Sequence, residues 1–143
     1  MDTSVVGGCL DEEFADESRA LLQMAREGLV TLLVSDVLAD ELELAPHDVQ
    51  DLFGALPQDC LEAVFRSEET ERLRDIYLAA KVVSSASAND AHHVALATIG
   101  RADMIVSWNF KHIVHFEKIR GFNAVNLREG YTAIEIRSPR EVV

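Results

Sequence analysis

Apolar residues recur at helical spacing along most of the chain and close into short continuous runs at two places. Phe14 to Gly28 predicts an amphipathic helix, with Leu21, Leu22 and Ala25 on one side and Gly28 past its end. Leu29 to Val34 is an unbroken apolar run, the pattern of a buried parallel strand. Ser35 or Asp36 then caps a helix that runs to about Leu44, and Pro46 starts another that ends near Pro57. Asp59 to Phe65 reads as a short helical piece, and Glu68 to Val83 as a longer helix carrying Leu73, Ile76, Tyr77 and Ala80. Ser87 to Gly100 is apolar nearly all round, which predicts a buried helix. Met104 to Ser107 predicts a second buried strand, Lys111 to Arg120 a helix, and Thr132 to Arg137 a strand near a sheet edge.

Strands separated by helices imply an α/β domain with a mainly parallel sheet, and 143 residues without a linker or repeat make one domain over 1–143. In such sheets the ligand site lies outside the carboxyl ends of the strands, here just after residues 34 and 107. Asp2-Thr3-Ser4 looks like the residues that follow a strand, yet only Met1 precedes it. The expectation is therefore a first strand missing or truncated.

Composition narrows the class. The apolar runs are far too short to span a bilayer, and no charged-then-apolar leader opens the chain, so no membrane association is expected. Cys9 and Cys60 stand far apart without metal-binding spacing and read as free thiols of a cytoplasmic protein. A net charge of −12 argues against nonspecific binding of nucleic acid. The charge is uneven, however: the first hundred residues carry −14 and residues 101–143 carry +2, so a polyanion should approach through the C-terminal third. A solvated acidic surface that keeps the protein soluble is the alternative.

Four polar residues stand where apolar ones are expected or where strands end. On the helix from Asp36, Val37, Glu41 and Leu44 share a stripe, while Asp40 and Glu43 face water. Glu41 thus interrupts a buried face and needs a cation, a hydrogen-bond partner or a proton, unless it lies at the rim paired with an arginine. Asp90 opens the apolar helix as either a site carboxylate or the end of a capping box begun by Ser87. His93, one turn on, is either a hydrogen-bonded core residue or a group that orients Asp90. Asn109 follows the second strand as a ligand or as a turn residue, Trp108 as a core aromatic or a base-stacking platform, and Lys111 and His112 as phosphate contacts or a solvated helix start. Asp2, Glu41, Asp90 and Asn109 together suggest clustered oxygen ligands, for which Mg²⁺ or Mn²⁺ is the natural counter-ion. Such a site activates water and stabilises charge on a phosphodiester.

Asp2-Thr3-Ser4, Glu41 within Asp-Glu-Leu-Glu, Asp90 within Asp-Ala-His-His-Val-Ala-Leu-Ala, and Ser107-Trp108-Asn109-Phe110-Lys111-His112 together resemble a PIN domain. Within that family the chain is most similar to VapC-type toxins of bacterial toxin–antitoxin pairs, from Asp2 to about Pro139. The resemblance implies a three-layer α/β/α sandwich and a Mg²⁺- or Mn²⁺-dependent endoribonuclease acting on RNA. It implies that Asp2, Glu41 and Asp90 bind metal, that Asn109 stands where many members have a fourth acid, and that Ser4 and Ser107 hydrogen-bond around the cluster. His93 matches a position of the subgroup. An antitoxin partner and a homodimer are further family expectations. Two departures qualify the picture: Asn109 is neutral, which favours one tightly bound metal over two, and the short start leaves Asp2 without a central strand. Weak or no activity, recovered when upstream residues are added, is the expectation. The alternative is a PIN-fold module that binds RNA or protein without cutting. A phosphoacceptor receiver-like domain fits less well, because no acid pair follows a first strand.

Overall fold

The computed structural model describes residues 1–143. Helices are α1 Thr3–Gly8, α2 Ala15–Arg26, α3 Asp36–Glu43, α4 His47–Gly54, α5 Glu68–Ala79, α6 Ala88–Ile99, α7 Phe116–Arg128 and α8 Pro139–Val142. Strands are β1 Leu32–Ser35, β2 Leu61–Val64, β3 Met104–Val106 and β4 Glu135–Arg137. β1 pairs with β2 in parallel, Leu32 opposite Leu61, and β3 with β4 in parallel, Ile105 opposite Ile136. The α/β character with parallel strands follows the sequence pattern. The strands stand as two pairs rather than one ladder.

Between the pairs lies a groove of about 490 Å³. Leu32 and Leu33 of β1 and Met104, Ile105 and Val106 of β3 line it. Successive strand residues point to opposite faces, so a wall made of consecutive residues is a strand edge. The groove therefore runs between the free edges of β1 and β3.

Local sequence explains several helix ends. Ser35 Oγ accepts the Leu38 N–H at 3.0 Å and starts α3. Ser67 and Thr70 exchange side-chain and backbone hydrogen bonds in a capping box that starts α5. α2 ends before Gly28, whose φ of +77° is the left-handed conformation glycine adopts without strain.

Four expectations are corrected. Residues 59–65 are not helical: a tight turn, Gln58–Cys60, leads into β2. Leu-Glu-Ala-Val has no strong strand preference of its own, and pairing with β1 overrides it. The stripe on α3 ends early, because Leu44 is the cap residue and stands 91% exposed. The helix expected from Lys111 starts instead at Phe116 and runs through Gly121 to Arg128. A Cβ at Gly121 would lie 2.9 Å from Val82, so glycine is what lets α7 pack closely there. Finally, residues 3–8 form a helix that the sequence pattern does not announce. Six residues cannot sustain a helix in water, so α1 persists through tertiary packing. Val5 packs with Leu21 and Val106, Val6 with Leu38, Leu42 and Val49, and Cys9 with Leu22 and Leu32.

The main core joins α5, α6, α7, β3 and β4 through Leu73, Tyr77, Val94, Ile105, Phe122 and Ile136. Inside it the Tyr77 hydroxyl donates to Asn126 Oδ1, and Asn126 Nδ2 donates to Thr98 Oγ1 at 3.3 Å. Both Tyr77 and Asn126 are fully buried. Tyr77→Phe removes the donor and leaves the Asn126 oxygen without one, a loss of about 1–3 kcal/mol. Urea unfolding should show that loss, and a change under about 0.5 kcal/mol, the scatter of ordinary surface substitutions, would mean the pair contributes little.

Candidate active site

The carboxylate of Asp2 is buried at the extended residue that leads into α1. The hydroxyl of Ser4 donates to its Oδ1 at 2.6 Å and the hydroxyl of Ser107 to its Oδ2 at 2.9 Å. Both serines serve twice. Ser4 Oγ accepts the Trp108 N–H at 2.9 Å, and Ser107 Oγ accepts the Asn109 N–H at 2.9 Å. The start of α1 and the end of β3 are thereby tied together.

Glu41 projects from α3 toward α1 and α6. Its Oε1 accepts from Thr3 Oγ1 at 2.7 Å and lies 2.8 Å from His93 Nε2. Burial works to raise the Glu41 pKa, but the hydrogen bond and charge of His93, with the Thr3 hydroxyl, outweigh it and hold the carboxyl below its ordinary range. Its stabilising contribution is present above the ordinary carboxylate range and fades as pH falls through the lowered value. Of the two readings of Glu41, the hydrogen-bonded one holds, and His93 is turned to Glu41.

Asp90 lies in the first turn of α6, but Ser87 makes no side-chain cap there, so no capping box forms. Asp90 Oδ2 is instead 3.0 Å from His112 Nδ1. Burial raises the Asp90 pKa, against the pull of His112, His93 and Asn109, and the charge of nearby Asp2 raises it further. Asn109 also accepts the His112 N–H on Oδ1 at 2.9 Å, which rigidifies the turn after β3. Lys111 is exposed on that turn.

The sequence-predicted residues thus fall into one neighbourhood made of α1, α3, α6 and the β3–α7 turn. Thr3 and the role of His112 toward Asp90 were missed. Thr3 carries no signal, because nothing in the local pattern predicts α1. The spacing of three between Asn109 and His112 was a usable sign of a turn that returns His112 to the site. The carboxylate and amide oxygens suit a hard divalent cation, and their supporting hydroxyl and imidazole donors suit ligand orientation. As they stand, no three His, Cys, Asp or Glu side chains are grouped closely enough to hold a metal ion.

A carboxyl whose folded pKa lies above the unfolded one stabilises fully only below the unfolded value, and that contribution is lost as pH rises through the folded value. Ionised Asp90 is therefore a net cost near neutrality. Asp90→Asn should raise Tm at pH 7, with the gain shrinking toward pH values of about 4. Calorimetry across that range checks it, and a lower Tm at pH 7 would mean that the pull of His112 and Asn109 on the carboxylate outweighs burial.

No helix is long and apolar enough to cross a membrane. No curated protein and no solved structure matches the chain significantly. The family model for the PIN domain matches residues 1–111, which include Asp2, Glu41, Asp90, Asn109 and their hydrogen-bond partners other than His112. PIN domains are typically nucleases, and with more than half its length matched, this chain belongs to the PIN domain family.

Proposed function

We propose that the domain is a metal-dependent endoribonuclease in which Asp2, Glu41 and Asp90, assisted by Asn109, hold Mg²⁺ or Mn²⁺. The observation that carries this reading is the buried carboxylate of Asp2, whose two oxygens are met by the neutral hydroxyls of Ser4 and Ser107. A carboxylate taken out of water without a counter-charge from those partners calls for a cation. A divalent ion there supplies an activated water and neutralises charge building on the scissile phosphate.

The chain's own groups do the positioning. Ser4 and Ser107 fix both oxygens of Asp2. His93 holds Glu41, while His112 lies against Asp90. Lys111, exposed beside Asn109, is placed to meet an RNA phosphate, and the net positive C-terminal third favours approach from that side. The family resemblance supports an assignment as the VapC-type toxin of a toxin–antitoxin pair, with an antitoxin that covers the acidic site and a homodimeric assembly.

A second reading is a PIN-fold module that binds RNA or protein without cutting. The separation of the acids favours it, since each is already satisfied by an intramolecular partner and no three are grouped for a metal. Metal-dependent cleavage separates the two.

Purified protein incubated with total RNA and Mn²⁺ should give discrete fragments that vanish with EDTA. Asp90→Ala should remove nearly all cleavage while leaving the circular-dichroism spectrum intact. Fragments that persist in Asp90→Ala would sink the assignment, and an inactive but RNA-binding parent would favour the second reading. His93→Ala should weaken Mn²⁺ binding about 10–100-fold, as loss of a ligand-orienting group does. Isothermal titration would reveal it, and an unchanged affinity would show that Glu41 needs no such support.

A further inference from the structure

Trp108, the only tryptophan of the chain, stands between Ser107 and Asn109. Its backbone N–H donates to Ser4 Oγ at 2.9 Å, and the Ser4 hydroxyl donates to Asp2 Oδ1 at 2.6 Å. Where the Trp108 backbone stands therefore limits where Ser4 Oγ can stand, and with it one oxygen of Asp2. The Trp108 side chain is buried, so it is a core aromatic and offers no face to a base.

The indole is gripped by the start of α2, an element that carries none of the candidate carboxylates. Trp108 Nε1 donates to Ser18 Oγ at 2.7 Å, and Phe14 stacks on the ring with centroids 4.2 Å apart and planes 22° apart. Phe14 and Ser18 are four residues apart, the spacing that puts two side chains on one side of a helix. Arg140, bonded to Glu17 of the same helix at 3.0 Å, lies 5.7 Å from the indole centroid. Stacking leaves a ring free to slide in its plane, whereas a hydrogen bond is directional and fixes it. Ser18 is fully buried. A Cβ at Gly8 would lie 2.4 Å from Ser18 Oγ and 2.8 Å from Trp108 Nε1, so α1 comes this close to the bond because residue 8 is glycine. α1, α2 and the turn after β3 thus converge on the one bond between Ser18 and Trp108.

Resting on the reading in which Asp2 holds a metal ion, we propose that Ser18 is a positioning residue of the active site. It holds the Trp108 indole, the indole holds the backbone N–H of Trp108 on Ser4, and Ser4 sets the orientation of Asp2 Oδ1. Groups that orient a metal-binding side chain affect affinity without touching the ion. Ser18 does so from α2, two hydrogen bonds further out than Ser4.

Isothermal titration of Mn²⁺ into Ser18→Ala tests this, with the emission of the single tryptophan as the check that its bond is lost. Ser18→Ala should shift that emission and weaken Mn²⁺ binding about tenfold, the lower end of what loss of a ligand-orienting partner costs. It should also lower kcat for RNA cleavage and leave KM and the circular-dichroism spectrum unchanged. Trp108→Phe, which has no indole N–H, should weaken Mn²⁺ binding as well, and adding Ser18→Ala to it should weaken binding no further. Unchanged Mn²⁺ affinity in Ser18→Ala would overturn the proposal, as would an unshifted emission. Losses that add in the double variant would also overturn it, because Ser18 would then act apart from Trp108. In each of these cases a parent that binds Mn²⁺ and cuts RNA keeps the ribonuclease reading. A parent that binds no Mn²⁺ removes that reading and the proposal together.

Discussion

The hydrogen bonds that Ser4 and Ser107 give to the buried carboxylate of Asp2 are the tie from which the site hangs. A carboxylate away from water must have its oxygens satisfied, and these two hydroxyls do so from opposite parts of the chain. Because each serine also takes a backbone N–H from the β3–α7 turn, satisfying Asp2 fixes the position of Trp108 and Asn109 as well. From there the turn carries Asn109 and His112 to Asp90. One buried charge thus organises α1, the end of β3 and the start of α6.

The histidines divide the labour in a way that their side-by-side positions conceal. His92 and His93 are neighbours on α6, yet they point to different partners. His92 lies 3.0 Å from Thr70 and fastens α6 to the capped start of α5, and burial lowers its pKa, which favours the neutral ring. His93 holds Glu41 on α3. The first is an architectural contact, whereas the second bears on the carboxylate site. A helix that is apolar nearly all round meets other elements on every face, so two adjacent polar residues on it find partners on different sides. Asp90 sits at the edge of this arrangement with a raised pKa, and that raised value is a local sacrifice of stability at the place where chemistry is proposed.

Much of the helical framework was legible beforehand. The extents of α2, α3 and α6 follow from apolar spacing and from caps such as Ser35 and Gly28, whereas α5 starts where expected and stops at Ala79, short of Val83. Asn109 also lies just after β3, one of the two strand ends where a ligand site was sought. Less was legible where long-range pairing chose the conformation. Leu61–Val64 became a strand because β1 lay beside it, and Thr3–Gly8 became a helix because Val5, Val6 and Cys9 found three separate apolar surroundings. Neither outcome is encoded in spacing alone.

The sequence by itself determined that Glu41 interrupts an apolar stripe, that Asp90 opens an apolar helix and that Asn109 follows a strand, and with Asp2 these were the candidates. Periodicity is a local property, so a polar residue on an apolar stripe is visible without a fold. Only the tertiary structure decided what each of those residues touches. Asp2 meets Ser107 across 105 positions, Glu41 meets Thr3 across 38 and His93 across 52. A hydrogen bond acts over about 3 Å, and which groups come that close depends on how helices and strand pairs pack over the whole chain.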